Sequence, residues 1–522
     1  MAKAPTADTR PAETADPPQG AAAMVQLQRQ AVRGSVLALT NQAIKLVSNV
    51  ATTLIVALYL GPDEFGLFAV AFSIQALTII VRDGGLANAL IQRKAITDTH
   101  LNSVLWAGLA LSALAAIVLA LIARPLAAAY GQPRLAPILW LVALPIVVQG
   151  FGSVQEALLR KRLCFGRLLL ADSGSALLAS LAAIVAVLLG AGVWGLVLRM
   201  VLAPVLLAIF CWLSSAWRPR WELSLAALRS LWAFGGYFFI TALLGYGLTR
   251  LDSLIIGKLI GVAAAGMFFM ARTVALATLQ DLIAAVGRVM FPVFSAVQDD
   301  PDTLRSGFLT GTRCLATLFF PVVAALIVLS PEAVAVILPE RWRDTVPLMQ
   351  IIALHGLLRC VSNPASQLLY ARGRSRLQFL YASVAGLLVI VSFVVGARWG
   401  VVGVAVGWTI VAFTLRPVIL WFAAREINMS IWDMAINLVP PFLAAAGAAG
   451  ATRLAIWLWM ASGLPMGYGL LGMAVAVGGA SYAGLSALLL RDTLAKLWRD
   501  LVAARLLQRG SETMPRDYGQ EG

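Results

Sequence analysis

Long apolar runs alternate with short polar segments along almost the whole chain. Fourteen of these runs have the length of about 20 residues that an α-helix needs to cross a bilayer. They cover residues 36–60, 65–82, 101–123, 135–158, 168–189, 193–214, 236–257, 264–286, 308–329, 346–370, 377–396, 401–423, 434–459 and 468–490. The pattern predicts an all-α polytopic membrane protein with about 14 transmembrane helices, because a helix satisfies its own backbone polar groups in lipid.

One stretch of the chain occurs twice. Gly61 matches Gly261 and Gly66 matches Gly266, both at an offset of 200 residues. Each copy ends one apolar run and begins the next. We therefore expect its glycines to supply the φ > 0 freedom that a tight turn between helices needs.

The repeat continues beyond this stretch. Gly192-x-x-Gly195 opens the sixth run and Gly400-x-x-Gly403 opens the twelfth. Each half contains an even number of runs, so both halves enter the membrane in the same direction. This predicts two six-helix lobes in a parallel pseudo-repeat, followed by two extra C-terminal helices.

These observations predict the organisation of the chain. The first segment is rich in Ala, Pro, Thr and charge, which is typical of a disordered tail. An amphipathic stretch at 223–232, preceded by tryptophans, predicts a helix on the membrane surface. The predicted parts are a disordered cytoplasmic tail (1–33), an N-lobe (34–215), an interfacial helix with the C-lobe (216–425), two extra spans (426–490) and a cytoplasmic tail (491–522).

Composition excludes a soluble protein. The chain is 60% hydrophobic and 12% charged, and its mean hydropathy is +0.85. The net charge of +15 does not predict nucleic-acid binding, because the bases punctuate the ends of apolar runs. On one side the polar segments hold 24 lysines and arginines, and on the other side 6. The positive-inside rule therefore predicts that both termini are cytoplasmic.

Cofactor chemistry has no support in the sequence. The four cysteines and two histidines lie far apart, without metal-ligand spacing, and we expect neither a metal site nor a disulfide framework. Gly257-Lys258 lacks the rest of a Walker-type loop. We expect no cofactor.

Six short motifs carry a resemblance to a known family. They are Tyr59–Phe68, Asp83–Ala87, Leu251–Lys258, Phe291–Asp299, Pro339–Trp342 and Leu369–Arg374. In their order and spacing the chain resembles the polysaccharide transport (oligosaccharide flippase) family of the multidrug/oligosaccharidyl-lipid/polysaccharide exporter superfamily. The similarity covers roughly residues 30–425, so the last two spans depart from the simplest twelve-helix pattern.

The resemblance implies a function as well as a fold. Its two lobes would enclose a cavity that opens alternately to each face of the bacterial inner membrane. The substrate would be a polyprenyl-diphosphate-linked oligosaccharide, flipped for O-antigen, lipopolysaccharide or exopolysaccharide synthesis. Partners would be this lipid-linked oligosaccharide, membrane lipids, and a polysaccharide polymerase with its export machinery.

Ionisable residues inside spans are functional candidates, because burying them in a membrane is costly. The basic ones are Lys45, Arg82, Arg199, Arg250, Arg272, Arg288, Arg313, Arg359, Arg416 and Arg453, and the acidic ones are Asp83, Glu156, Asp172, Asp252 and Asp281. A basic excess suits a cavity for a diphosphate, because guanidinium groups match phosphate oxygens.

Six residues are the candidate substrate-binding set. Lys45, Arg250, Arg272 and Arg359 lie deepest in their spans, and Asn41 and Asn49 extend a polar stripe that has Lys45 at its centre. Packing against another helix explains that stripe equally well.

The remaining charges have simpler interpretations. Asp172 lies near the cytoplasmic end of its span, where it would pair with Arg167. The basic residues near span ends would extend their side chains to the membrane interface. These residues are Arg82, Arg288, Arg313, Arg416 and Arg453.

Two other functions fit a protein of this class. A multidrug antiporter of the same superfamily would favour acidic cavity residues, whereas bases outnumber acids ten to five here. A membrane-embedded polysaccharide polymerase or ligase would be an enzyme with a sizeable outer domain, and the longest outer segment, around 330–345, is short. A transporter that is not an enzyme is therefore favoured.

Overall fold

The regular secondary structure of the described chain is helical. The computed structural model describes residues 19–83, 86–93, 96–162, 164–232, 251–277, 283, 287 and 290–491. The helices of the first half are α1 (Gln19–Tyr59), α2 (Pro62–Asp83), α3 (Leu86–Gln92), α4 (Asp98–Ala129), α5 (Leu135–Lys161), α6 (Phe165–Leu188), α7 (Val193–Ser214) and α8 (225–232). Then follow a helical segment at 251–259, α9 (Val262–Arg272) with a π-helical turn Thr273–Ala277, α10 (290–296), α11 (Pro301–Ile337), α12 (Thr345–Ala371), α13 (Ser375–Gly396), α14 (Gly400–Glu426), α15 (Ile431–Ala461) and α16 (Tyr468–Leu489).

The predicted membrane spans match these helices closely, and the all-α polytopic class is confirmed. Ten stretches of the described residues are long and apolar enough to cross a membrane, and one of them, Ser375–Glu426, contains both α13 and α14. The seventh predicted span, 236–257, lies mostly outside the described residues, as does the second half of the eighth. The total of 14 therefore stays a prediction.

The N-terminal boundary differs from the prediction. Helix α1 begins at Gln19, so the structure describes residues 19–33 of the predicted tail as helical. Apart from Gly20, this stretch consists mainly of Ala, Gln and other good helix formers, which let the helix of the first span continue upstream. Residues 1–18 of the predicted tail lie outside the described residues.

The last two helices lie against one helix of the second half. Helices α15 and α16 pack on each other and on α11. The side-chain amide of Asn437 on α15 donates to the carbonyl of Leu309 on α11 at 2.9 Å, and the Tyr482 hydroxyl on α16 donates to the carbonyl of Thr317. These contacts attach both helices to α11.

The two copies of the repeated stretch contact each other. A Cβ atom on Gly66 would lie 1.8 Å from the carbonyl oxygen of Val262 at the start of α9. In the same way, a Cβ atom on Gly266 would lie 2.0 Å from the carbonyl oxygen of Pro62 at the start of α2. Glycine at both positions therefore lets α2 and α9 approach at backbone distance, and this contact joins the two halves.

The turn role predicted for the repeat glycines is only partly correct. Gly261 has φ +134°, in the region that favours glycine, whereas Gly61 does not have a positive φ. At the openings of α7 and α14, the matched Gly192 and Gly400 have φ +58° and +73°. In the first copy Pro62 starts α2 directly, and its fixed φ suits the first helical position.

A short 3-10 turn, Glu340–Trp342, connects the second half to the end of α1. The Trp342 ring is fully buried, its indole nitrogen donates to the carbonyl of Ala57 at 2.9 Å, and it meets Phe65 edge to face at 5.0 Å. This donor satisfies one of the carbonyls that the last turn of a helix leaves without partners. The contact is therefore a second link between the halves, beside the glycine contact.

The segment before α8 is attached to the start of α4. The Trp221 ring stacks on Trp106 with 3.8 Å between ring centroids. The Glu222 carboxylate accepts hydrogen bonds from Thr99 at 2.6 Å and Asn102 at 3.1 Å. The described part of the connection between the halves is thus attached to the first half.

Candidate functional site

The polar stripe on α1 faces α6. The Lys45 ammonium lies 3.0 Å from both carboxylate oxygens of Asp172, and the Asn41 amide donates to the same carboxylate at 2.8 Å. Asn41 and Lys45 are four residues apart, so one face of α1 presents both to one acidic side chain. The Ser173 hydroxyl also donates to the Asn41 amide oxygen.

Asp172 therefore pairs with Lys45, and the predicted pairing with Arg167 is wrong. The Arg167 guanidinium instead donates to the carbonyl of Ser214 at 3.2 Å, at the C-terminal end of α7. A cation is favourable at that position because it meets carbonyls without helical partners. The sequence spacing of Arg167 and Asp172 could not reveal that α1 supplies the nearer base.

One turn further along α1, the stripe reaches α7. The Arg199 guanidinium donates to the side-chain oxygen of Asn49 at 3.0 Å, and the Ser48 hydroxyl donates to Ser180 on α6 at 2.9 Å. Asn49 is a neutral partner, so this bond leaves the charge of Arg199 without compensation. Sequence reasoning counted Arg199 among the basic residues but left it out of the candidate set.

The Lys45–Asp172 pair is not sealed inside the protein. The Lys45 side chain is 39% exposed and that of Asp172 is 25% exposed. This exposure leaves room for another charged group to reach Lys45. The polar stripe thus packs α1 against its neighbouring helices and also leaves the Lys45 side chain accessible. Substrate binding and helix packing, the two interpretations of the stripe from the sequence, are therefore compatible.

The second half contains a more deeply buried ion pair. The Arg272 guanidinium at the end of α9 pairs with Asp252, and both side chains are at most 15% exposed. Asp252 also accepts from the backbone NH of Ser253 at 2.7 Å. The π-helical turn follows Arg272 directly, and such turns are frequent at functional sites. The neighbouring candidate Arg250 lies outside the described residues.

Helix α14 carries a further cation, Arg416, which contacts α12. The Arg416 guanidinium lies 2.8 Å from the ring nitrogen Nε2 of His355 and 3.2 Å from the carbonyl of the same residue. The His355 ring also packs on Trp408 at 4.1 Å. The candidate Arg359, one turn after His355 on α12, interacts electrostatically with both His355 and Arg416. Arg359 and Arg416 thus belong to one basic cluster.

Three of the arginines predicted to extend to the membrane interface have partners within the protein. Arg416 points to His355, Arg313 donates to the carbonyl of Asn437 at 3.2 Å, and Arg453 pairs with Glu332 at 2.6 Å. Glu332, a buried carboxylate in α11, was missing from the acidic residues chosen by sequence. The side chains of Arg82 and Arg288 lie outside the described residues.

The structure divides the six sequence candidates between the halves. Asn41, Lys45 and Asn49 line one face of α1 against α6 and α7, whereas Arg272 and Arg359 lie on α9 and α12. Two of the cations, Lys45 and Arg272, carry a carboxylate partner, so their charge is compensated within the protein. The arrangement offers an anion several cations within helices of both halves.

This fold is that of a known class of membrane transporter. The structure titled "Lipid II flippase MurJ, inward closed conformation" superimposes with a TM-score of 0.70 at 14% identity, over 89% of this chain and all of that chain. An inward-facing multidrug resistance MATE transporter of the MOP superfamily gives a TM-score of 0.59 at 16% identity, over 76% of this chain and 98% of that chain. At these identities the likeness establishes the fold.

Sequence comparison identifies the family. A family model described as "Polysaccharide biosynthesis protein" matches residues 55–347, more than half of the chain, and the chain belongs to this family. It is 28% identical to the lipopolysaccharide biosynthesis protein WzxC of Escherichia coli (strain K12) over 72% of this chain and 79% of that protein. It is 25% identical to the teichuronic acid biosynthesis protein TuaB of Bacillus subtilis (strain 168), over 70% and 77%.

These comparisons confirm the family resemblance found in the sequence. The chain is a multi-pass membrane protein of the polysaccharide transport family, with a MurJ/MATE-like fold. The expectation of a transporter rather than an enzyme is confirmed by this family and fold.

Proposed function

We propose that the protein flips a polyprenyl-diphosphate-linked oligosaccharide from the cytoplasmic to the periplasmic leaflet of the bacterial inner membrane. The observation that carries this proposal is the presence of cationic side chains within helices of both halves, namely Lys45, Arg272 and Arg416. The diphosphate is the group that lipid excludes most strongly. Cations inside the protein can replace its lost hydration.

Lys45 is the cation best placed to exchange partners. Its side chain is partly exposed and its present partner, Asp172, carries a single negative charge. A diphosphate brings more charge and more acceptor oxygens than one carboxylate, so it competes effectively for Lys45. Asn41 holds Asp172 in place while this exchange occurs, and the Ser173 hydroxyl in turn holds Asn41.

The same cations would also drive the movement of the two halves relative to each other. Without an anion, mutual repulsion of the cations favours separated lobes, and a bound diphosphate draws them together. A ligand shifts such an equilibrium only through its different contacts with each state. The contacts at Gly66, Gly266 and Trp342 would open and close during this alternating access.

The proposal is tested by transport with variants of the four predicted cavity cations. Alanine is introduced at Lys45, Arg250, Arg272 and Arg359, and polysaccharide export is measured after normal membrane levels are verified. A charge-assisted hydrogen bond contributes on the order of 1.5–3 kcal/mol, so we expect each loss to weaken substrate binding roughly ten- to a hundredfold. Arg→Lys should recover only part of the loss, because lysine lacks the planar fork.

A matched control is Arg398→Ala, which removes an exposed arginine from the short turn between α13 and α14. This variant should export normally. If all four cavity variants also export normally, the cations are structural and the proposed cationic cavity is wrong.

A multidrug antiporter is the alternative that shares this fold. A cationic drug would need free carboxylates, whereas Asp172 and Asp252 are paired with Lys45 and Arg272. We therefore expect no export of cationic dyes when the protein is expressed in a strain that lacks drug exporters. Dye export that disappears in Asp172→Asn, with polysaccharide export absent, would favour the antiporter.

In the proposed pathway the protein delivers repeat units to the periplasmic side. A polysaccharide polymerase with its export machinery would act next, since it must use the flipped lipid-linked units as substrates. This protein would supply that reaction without making or breaking a covalent bond.

A further inference from the structure

A cavity of about 1080 Å³ lies between α13 and α14, at the end where α13 begins and α14 ends. We call it the α13–α14 pocket. Its lining residues are Arg372, Gly373, Arg374, Arg376, Leu377, Leu380, Tyr381, Val384, Leu415, Val418, Phe422, Arg425, Glu426 and Asn428. None of the candidate cations on α1, α9 and α12 lines this pocket, so it is a separate feature of the second half.

The mouth of the pocket is strongly basic. Four arginines and one glutamate line it, which gives a net charge of +3. The carboxylate of Glu426 lies 2.7 Å from Arg374 and 3.6 Å from Arg372. Within the described chain no carboxylate lies at ion-pair distance from Arg376 or Arg425, and both are exposed. The pocket therefore has cationic capacity that the protein does not itself neutralise.

The wall of the pocket is apolar and exposed at the protein surface. Leu377, Leu380 and Val384 follow one another at helical spacing on α13, and Val418 and Phe422 do so on α14. Leu380 is 63% exposed and Val418 is 40% exposed. From Arg376 to Val384 the helix rises about 12 Å, which places apolar surface immediately beyond the arginines.

We propose that the α13–α14 pocket binds an anionic membrane phospholipid. The lipid phosphate contacts Arg376, Arg374 and Arg425 at the mouth, and its acyl chains lie along the apolar wall. A basic pocket between transmembrane helices that ends in an apolar groove matches both parts of such a lipid. Glu426 positions Arg374 and leaves Arg376 and Arg425 for the headgroup.

The position of the pocket favours a phospholipid over the transported substrate. Only Gln378, Phe393 and Gly396 of α13 are buried, so this helix lies at the surface of the protein, where a lipid can reach it. A bilayer phospholipid reaches such a flank by lateral diffusion. The large oligosaccharide headgroup of the substrate would have to remain outside the pair of lobes that moves it.

The test is lipid binding by the full-length protein, purified in detergent and stripped of lipid. Phosphatidylglycerol, phosphatidylcholine and inorganic pyrophosphate are titrated separately, with native mass spectrometry counting bound lipids and a thermal unfolding assay reporting stabilisation. We expect phosphatidylglycerol to bind and raise Tm. Phosphatidylcholine and pyrophosphate should do so at least tenfold less well, because the first is zwitterionic with no net negative charge and the second has no acyl chains.

Two variants locate the site. Arg376→Gln combined with Arg425→Gln should lower the affinity for phosphatidylglycerol ten- to a hundredfold, and Leu380→Trp should lower it by filling the wall without changing charge. Arg398→Gln, at the opposite end of α13, is the matched control and should bind like the wild type.

Three results would overturn the proposal. The first is equal binding of phosphatidylglycerol and phosphatidylcholine. The second is wild-type affinity in both pocket variants. The third is a polyprenyl diphosphate that occupies the pocket and is not displaced by phosphatidylglycerol, which would make the pocket part of the substrate path.

Discussion

Gly66 and Gly266 occupy the same position in the two halves, and each lies against the first turn of the helix that carries the other. The carbonyl oxygens of Val262 and Pro62 fill the space where a Cβ atom would stand. The repeat in the sequence therefore corresponds to a reciprocal backbone contact. At this contact the backbones of α2 and α9 approach each other directly.

The first prediction concerns this contact. Gly66→Ala and Gly266→Ala should each separate α2 from α9, because the atoms in the way are backbone oxygens that cannot rotate aside. Overpacking of this kind costs about 1–3 kcal/mol. Disulfide cross-linking between cysteines placed in α2 and α9 should become slower in both variants. Gly166→Ala, where the added Cβ meets nothing within 4 Å, should leave cross-linking unchanged.

The second prediction concerns Trp342. Trp342→Ala removes a fully buried ring, its edge-to-face contact with Phe65 and its hydrogen bond to Ala57. We expect a loss of about 3–5 kcal/mol, as for other large-to-small changes at buried aromatics. Trp342→Phe keeps a ring and loses the indole donor, which should cost about 0.5–1.5 kcal/mol. Chemical unfolding in detergent measures the free energy of unfolding of both variants. Equal losses in Trp342→Ala and Trp342→Phe would mean that the packing of the ring contributes nothing.

Much of the fold could be predicted because each span carries its own signal. A run of apolar residues marks a helix such as α4 or α12 without reference to its neighbours. Residues 19–33 carry no such signal, because they mix apolar and polar residues without a run of about 20 apolar residues, and their helix is the continuation of the first span. The contact between Gly66 and Val262 depends on two helices meeting, which periodicity does not encode.

The third prediction concerns the linker carboxylate Glu222. Hydrogen bonds from Thr99 and Asn102 hold the pKa of this carboxyl below its ordinary value of 4.5. A carboxyl with a lowered pKa stabilises the folded contact above its unfolded pKa, and this contribution is lost as the pH falls through the folded pKa. Attachment of the linker to α4 should therefore be complete at neutral pH and weaken only below about 4.5.

Glu222→Gln imitates the protonated state at neutral pH. Hydrogen exchange of the linker amides in 216–224 should rise in this variant and should no longer respond to acid. Glu340→Gln, which alters an exposed carboxylate elsewhere, serves as the control. Linker exchange that is the same in the wild type and in Glu222→Gln would contradict the role of this carboxylate.

The fourth prediction is the topology. The charge asymmetry of 24 to 6 predicts that both termini and the loop Arg372–Arg376 are cytoplasmic, and that the turn at Gly61 is periplasmic. Single cysteines at Ser375 and Asp63 should be labelled by a membrane-impermeant thiol reagent from opposite sides of the inner membrane. Labelling of the Ser375 position in intact cells with a permeabilised outer membrane would overturn this orientation.

The site was harder to predict than the fold, and the reason is physical. A buried base such as Lys45 is visible in the sequence, because a charge in an apolar run stands out. Its partner Asp172 lies 127 residues away, and no local pattern connects the two. The sequence predicted that Arg416 extends to the membrane interface, because it lies near the end of its span. In the structure its guanidinium instead contacts His355 on α12. The partner of an ionisable side chain thus depends on which helix faces pack against each other.

The fifth prediction separates the two possible roles of Lys45. If Lys45 only holds α1 to α6, then Lys45→Ala and Asp172→Asn break the same ion pair and should reduce transport alike. If Lys45 binds the diphosphate, Asp172→Asn removes its competitor and the affinity for the substrate should rise. A pair of which one side chain is 39% exposed contributes at most about 1 kcal/mol to stability, so both variants should fold.

Substrate binding by the purified protein and export in cells are measured for both variants. We expect Lys45→Ala to bind roughly ten- to a hundredfold more weakly, and Asp172→Asn to bind more tightly while exporting more slowly because release becomes harder. Lys45→Arg keeps the charge and should fall between them. Equal loss of binding in Lys45→Ala and Asp172→Asn, with normal binding restored by exchanging the two residues, would assign the pair to helix packing alone.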